Sequence, residues 1–268
     1  DRGLVTLDNG YLLPGETPIN CFHRVSRRAG EILRMPNIVE PIFEALEKGW
    51  ICCSTPVLCN FGAPRALPIS CFSIEVEDSL DGIYDSVSEI AMMSKMGGGT
   101  AAYGSNLRPR GSSIASNGGE SNGPKSFAAP FDTTINIVTQ GKSRRGSMAW
   151  YLEFSHPDIS EHLQIKDPGD PIQNLFPGVC LSEDDIDAIY DGDEKALETW
   201  AKILESRSGT GLPYLYYTAN ANNHISTPDW YGHYTDYPLK ASNLCTEIIE
   251  YSDKDQTAVC NLASLGLP

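Results

Sequence analysis

The chain has 268 residues, 41% hydrophobic and 21% charged, which is the balance of a soluble globular protein long enough to bury a real core. Thirty-five acidic against 20 basic residues give a formal charge of −15, which argues against a broad nucleic-acid surface but leaves room for a small anion held by a few local donors. No apolar run reaches the ~20 residues that cross a bilayer. The opening DRGLVTLDNGYLLPGETP lacks the basic start and apolar stretch of a secretory signal, so a cytoplasmic setting is expected.

In chain order, residues 1–35 carry little periodicity and read as an arm with short elements. Ile38, Val39, Ile42, Phe43 and Leu46 recur at helical spacing and predict a helix over 37–48. After the Pro-rich TPVLCNFGAPRALP, the β-branched and aromatic content of ISCFSIEVE predicts a strand at 69–76. Asp78 and Ser79 offer a cap for a helix whose apolar face runs from Leu80 to Ala91 and which stops at glycines 97–99. Residues 104–129, rich in Gly, Ser, Asn and Pro, predict a long loop, followed by a helix at 130–140 and the basic turn GKSRRG. MAWYLEF predicts a second strand. Ser182 with Asp185 forms a capping box for an acidic helix, a further helix spans 194–206, and short strands are expected near 243–250 and 258–264. The class is α/β, with no internal repeat.

Eight cysteines stand at 21, 52, 53, 59, 71, 180, 245 and 260, with no CxxC pair, so neither a zinc site of the usual spacing nor a secreted disulfide scaffold is supported. The most informative stretch is Asn243-Leu244-Cys245-Thr246-Glu247-Ile248. On a strand, Asn243, Cys245 and Glu247 project from one side, aiming an amide, a thiol and a carboxylate into one space. A half-buried strand with a wet polar face would give the same pattern.

Residues 243–248 resemble the NLCxEI finger-loop signature of class I ribonucleotide reductases. TPVLCN…SC at 55–71, the helix and glycine run at 79–99, LRPRGSSI at 107–114, TQGKSRRGSMAWYLE at 139–153, GTGLPYLYY at 209–217 and AVCNLASLGLP at 258–268 follow in that family's order. The resemblance covers about 50–268. It implies a short helical amino-terminal arm over 1–50 and, over 51–268, the first half of a ten-stranded α/β barrel with a radical cysteine on a central finger loop. By motif position, Cys245 is then the thiyl residue that takes the 3′-hydrogen of a ribonucleotide, Glu247 the general base and Asn243 the residue orienting the sugar hydroxyls. Cys71 and Cys260 match the redox pair that reduces the 2′ position and ends as a disulfide. Thr55, Ser70, Gly98 and Gly99 match substrate contacts, where glycine lets backbone N–H groups approach a phosphate; the glycines serve equally well as a helix stop. Asp78, Ser79 and Arg108, with Gln140, Lys142, Arg144 and Arg145 in a basic loop, match the allosteric site for a deoxynucleotide at a dimer contact. That basic loop also suits a solvated turn. Cys21, Cys52, Cys53, Cys59 and Cys180 match no role and read as buried thiols.

The resemblance further implies a metal-containing beta subunit that supplies the radical, dNTP or ATP effectors, thioredoxin or glutaredoxin as reductant, a homodimer of the large subunit, and no metal bound by this chain. No nucleic-acid or membrane partner is expected. The first 50 residues are too few for the family's ATP-cone of roughly a hundred. The second barrel half, on the same or a separate chain, is expected to carry the diphosphate-gripping loop, the radical-relay tyrosines and the re-reducing cysteines, so this chain should not turn over alone. A compact phage-type enzyme suits this architecture. A cobalamin-dependent class II reductase shares the barrel and cysteine triad but usually flanks its radical cysteine with Pro and Gly; Leu244 and Thr246 stand here instead. The reading outside enzymes, an inactive nucleotide-binding barrel or assembly partner, is disfavoured by the intact set Cys71, Asn243, Cys245, Glu247 and Cys260.

Overall fold

Thr17 accepts the N–H of Asn20 and Pro18 takes the first helical position, and together they start a 16-residue helix in what the sequence reads as an arm without long elements. The computed structural model describes residues 2–64, 67–115, 118–138, 146–224 and 238–267. Its amino-terminal layer comprises α1 (Arg2–Asp8), α2 (Pro18–Leu33), a 3-10 turn and α3 (Val39–Glu47). Then follow β1 (Ile51–Cys53) and α4 (Thr55–Asn60). Cys21 and Val25 of α2 pack with Leu46 and Leu58 in a small core. Arg24 is half-buried beside it, bonded to Glu16 at 2.8 Å and to the carbonyl of Leu58 at 2.8 Å. That pairing hides a charge that, on a helical wheel, would be assigned to solvent.

The main body alternates strand and helix: β2 (Cys71–Glu75), α5 (Leu80–Lys95), β3 (Gly99–Tyr103), the hairpin β4 (Ser113–Ile114) and β5 (Gly119–Glu120), α6 (Gly123–Ile137), β6 (Met148–Glu153), α7 (Ile159–His162), β7 (Leu175–Leu181), α8 (Glu183–Asp191), α9 (Glu194–Thr210), β8 (Tyr214–Tyr217), α10 (Thr218–His224), β9 (Ala258–Cys260) and β10 (Ala263–Leu265). The six-stranded sheet runs β8-β7-β6-β3-β2-β9. Its first five members are mutually parallel, and β9 joins β2 antiparallel. β10 pairs antiparallel with β1, tying the end of the chain to the start of the barrel half.

Ser79 accepts the N–H of Gly82 and caps α5, and the Ser182–Asp185 capping box opens α8 as expected. Several expectations need correction. α6 begins at Gly123 rather than 130, because Pro124 sits in the first turn, where no N–H is needed, and Pro130 is accommodated inside the helix. β3 follows directly on the glycines, and β7 is a central strand despite Pro177 and Gly178. The expected strand at 243–250 is a turn, for a reason given below.

Period-two alternation divides the sheet into two faces. Phe72, Ile74, Ala102, Met148, Trp150 and Leu175 face outward and pack with α5 and α6 through Ile83, Ile90, Phe131 and Ile135. Truncating a buried residue of this kind, such as Trp150, costs about 3–5 kcal/mol. The opposite face carries Ala101, Ala149 and Gly178, residues small enough to leave a hollow, and Leu239, Ala241 and Leu244 of the carboxy-terminal loop fill it.

Candidate active site

The loop that enters this hollow is fixed at its stem. Asn222 of α10 bonds both backbone groups of Leu239, accepting its N–H at 2.9 Å and donating to its carbonyl at 3.0 Å. Lys240 pairs with Glu75 of β2 at 2.8 Å, and Ser73 Oγ donates to the carbonyl of Ser242 at 3.4 Å. The tip is held by Asn243, which is buried: its Oδ1 accepts the N–H groups of Glu247 at 3.1 Å and Ile248 at 3.3 Å. A side chain thus takes the donors that a strand ladder would use, which is why the alternating NLCTE pattern folds as a turn. Asn243 Nδ2 is buried with no partner among the described residues, a donor left over for something else. Thr246 takes φ +64°, left-handed backbone that β-branched residues seldom adopt. Cys245 and Glu247 are exposed on this loop, and the charge of a Cys245 thiolate would act on Tyr214, whose phenol is raised first by burial and then by that sulfur.

Cys71 and Cys260 stand directly opposite one another in the β2–β9 pair, both buried. Directly opposed residues of antiparallel strands have Cα atoms about 4.5–5.5 Å apart, inside the disulfide range. Cys260 is pushed well above the ordinary cysteine range by its hydrogen bond with Cys71, then by burial, with the charge of Glu247 adding to both. The finger loop's carboxylate therefore lies within electrostatic reach of the thiol pair, and at neutral pH Cys260 keeps its proton.

Beside the pair is a cleft of about 360 Å³ lined by Cys52, Ser54, Thr55, Ser70 and Ser264, among others. Thr55 Oγ1 bonds Tyr11 Oη at 2.9 Å. Ser70 is buried, its N–H donating to Cys260 and its carbonyl accepting from Gly99. Ser54 Oγ is buried and unpartnered among the described residues. Gly98 and Gly99 do not offer free amides: Gly98 N–H donates to Met93 O and Gly99 N–H to Ser70 O. Glycine is required at 98 because a Cβ there would stand 2.3 Å from the Phe72 ring. Cys52 is exposed and Cys53 half-buried, unlike the buried thiols Cys21, Cys59 and Cys180.

Asp78 and Arg108 meet at the outer end of β2, with Arg108 Nε donating to Asp78 Oδ2 at 2.7 Å; Ser79 is next to them as the α5 cap. The loop from Arg108 forms the β4–β5 hairpin. Gln140, Lys142, Arg144 and Arg145 lie outside the described residues. Among the described residues no three His, Cys, Asp or Glu side chains gather as metal ligands would, and no helix is long and apolar enough to cross a membrane. Sequence reasoning passed over Ser54, Ser73, Lys240 and Tyr11. Adjacency to Thr55 could have drawn attention to Ser54, and period-two register with Cys71 could have flagged Ser73.

An α/β half-barrel with two apposed thiols on its inner face and a third on a loop filling that face defines a class of barrel proteins built around cysteine chemistry. The chain matches the family model of the ribonucleotide reductase barrel domain over residues 69–197 and 183–268, and it belongs to that family. It is 32% identical to the ribonucleoside-diphosphate reductase large chain 2 of Saccharomyces cerevisiae, over 99% of this chain and 35% of that one. It is 33% identical to the putative ribonucleoside-diphosphate reductase large subunit of Frog virus 3, over 87% and 42%. The class Id ribonucleotide reductase alpha subunit of Actinobacillus ureae superimposes with a TM-score of 0.90 at 37% identity, covering 99% of this chain and 48% of that one. The chain thus spans under half the length of these relatives. The class Id title of that structure agrees with the class I reading and not with the cobalamin-dependent alternative.

Proposed function

We propose that this chain supplies the first catalytic barrel half of a ribonucleoside-diphosphate reductase large subunit, with residues 1–50 as a helical arm and 51–268 as the half-barrel. The observation that carries the reading is the apposition of Cys71 and Cys260 on the face into which the Cys245 loop is bound. A Cys245 thiyl, generated by loss of a hydrogen atom to an oxidant from a radical-supplying partner subunit, abstracts the 3′-hydrogen of the nucleotide, giving a thiol and a carbon-centred radical. Glu247 takes the 3′-hydroxyl proton while the 2′-hydroxyl leaves as water, protonated by the cysteine pair. Cys71 and Cys260 give up two hydrogens and become a disulfide, Glu247 returns the proton to the 3′-oxygen, and the 3′-hydrogen returns from Cys245, which restores the thiyl. Ribonucleotide and two thiols become deoxyribonucleotide, water and one disulfide, which thioredoxin or glutaredoxin then reduces. The unpartnered Nδ2 of Asn243 is suited to a sugar hydroxyl. The hydroxyls of Ser54, Thr55 and Ser70 suit the polar end of a nucleotide. Gly98 and Gly99 enter this reading as packing residues and not as phosphate donors.

Asp78, Ser79, Arg108 and the loop bearing Gln140, Lys142, Arg144 and Arg145 form the effector site in this reading, at a contact between two large subunits. The deciding experiment is Cys245→Ser in the complete enzyme with its partner subunit. Deoxynucleotide formation is expected to disappear while effector binding is retained; continued turnover would remove the assignment.

A further inference from the structure

We propose that Tyr151 is a positioning residue whose hydroxyl fixes the turn carrying Cys245. The inference rests on the reading of Cys245 as the hydrogen-abstracting sulfur. Tyr151 lies on the inner face of β6 and is fully buried. Its ring lies against Gly178 of β7, where a Cβ would come within 2.4 Å of the ring carbons, so the missing side chain there gives the ring its seat. From there the phenol reaches the finger loop at two points. It donates to the carbonyl of Asn243 at 2.7 Å and lies 3.0 Å from Thr246 Oγ1.

Proton counting assigns these bonds. A carbonyl only accepts, so the single phenolic proton goes to Asn243, and the Thr246 hydroxyl must donate to Tyr151 Oη. One oxygen therefore ties both ends of the turn Asn243–Thr246, with Cys245 between them. The turn needs such a tie, because Thr246 stands at φ +64°, a conformation that persists in a β-branched residue only when its surroundings over-determine it. Burial keeps the Tyr151 phenol protonated far above neutral pH, outweighing the opposing bond from Thr246, with Cys180 and two neighbouring tyrosines adding a little to the rise. The tie therefore does not come undone by titration. Hydrogen transfer demands approach within about 3–3.5 Å, and a displacement of about 1 Å can cost a hundredfold in rate. Nothing in this arrangement brings Tyr151 to the substrate; it acts through the direction it gives the sulfur.

The test is steady-state kinetics of Tyr151→Phe in the complete enzyme with its radical-generating partner. Phenylalanine keeps the seat on Gly178 and deletes both bonds. We expect kcat to fall about ten- to a hundredfold, with KM for the nucleotide and the effector Kd unchanged within twofold. Thr246→Val, which removes only the other hydroxyl at a part-exposed site, should lower kcat in the same sense. Glycine takes left-handed backbone freely, so adding Thr246→Gly to Tyr151→Phe should restore a substantial part of the lost rate; a purely structural role would not predict that rescue. Wild-type kcat in Tyr151→Phe, or a loss that Thr246→Gly does not relieve, overturns the proposal. Cys245→Ser assayed alongside separates the two levels. Its retention of activity would sink the underlying reading, whereas an inactive Cys245→Ser beside a fully active Tyr151→Phe would sink only this inference.

Discussion

The hydroxyl of Tyr11, in the amino-terminal arm, bonds that of Thr55 at the mouth of the cleft, 2.9 Å away and 44 residues along the chain. The arm therefore sets the orientation of a cleft hydroxyl without lining the cleft itself. If Thr55 holds the nucleotide, Tyr11→Phe should raise KM about fivefold, the worth of one neutral hydrogen bond, and leave kcat alone. Steady-state kinetics on the complete enzyme would check this, and an unchanged KM would remove Thr55 from the binding set.

The Cys71–Cys260 pair predicts a product of mild oxidation. Both thiols are buried and directly opposed. Treatment with a disulfide oxidant followed by alkylation and peptide mass spectrometry should find 71 joined to 260, while Cys245 is alkylated as an exposed thiol outside the disulfide. Cys260→Ser should abolish the cross-link and multiple-turnover activity together.

His162 makes stability depend on pH. Burial pushes its pKa down to about 4, with His156 and Lys125 adding to the effect against the opposing bond to Gly178 O. The unfolded chain, with histidine near 6.5, binds the proton first, so folding stability is complete above pH 6.5 and falls as pH drops towards 4. Carboxylates such as Glu161, held low by its hydrogen bond to Arg110, begin to contribute only as pH falls to about 4.5, the ordinary value. A loss of about 2–3 kcal/mol across that window follows, or roughly 5–10 °C in Tm. His162→Gln, whose amide nitrogen can take the place of Nε2 and still donate to the Gly178 carbonyl, should flatten the Tm profile between pH 6.5 and 4.5.

The Arg108–Asp78 pair separates stability from binding. Both side chains are more than a third exposed, 38% and 35%, so the ion pair itself contributes little, about 0–1 kcal/mol. Arg108→Ala should therefore leave Tm nearly unchanged while weakening deoxynucleotide effector binding at least tenfold by calorimetry, if the effector reading is right.

What the sequence made legible follows from where local signals agree with tertiary demands. Ser79 and the Ser182–Asp185 box are short-range chemistry, and α5 and α8 begin where those residues put them. The strand at 71–75 and that at 148–153 are rich in residues that suit a pleated sheet. β3, by contrast, reads GTAAY, small residues with no alternation visible, because one of its faces must leave space for a loop arriving from 140 residues later. β7 hides behind Pro177 and Gly178, and the glycine is there for the Tyr151 ring, which no local rule could report. α2 is obscured by Arg24, whose burial makes sense only with Glu16 and the carbonyls of Leu58 and Phe61 around it. At the candidate site the motif positions Cys71, Cys260, Asn243, Cys245 and Glu247 were legible, but the backbone that presents the last three was not. Asn243 looks like a strand residue until its side chain is seen capturing the backbone of Glu247 and Ile248.

The antiparallel seam between β2 and β9 has a thermodynamic consequence once its two thiols are oxidised. Joining 71 to 260 closes a covalent ring of roughly 190 residues, which by loop-closure entropy disfavours the unfolded chain by roughly 5 kcal/mol. The resting and spent forms of the protein would then differ in resistance to heat and denaturant. On the proposed reading, turnover would leave a tougher molecule, and the reductant would soften it again.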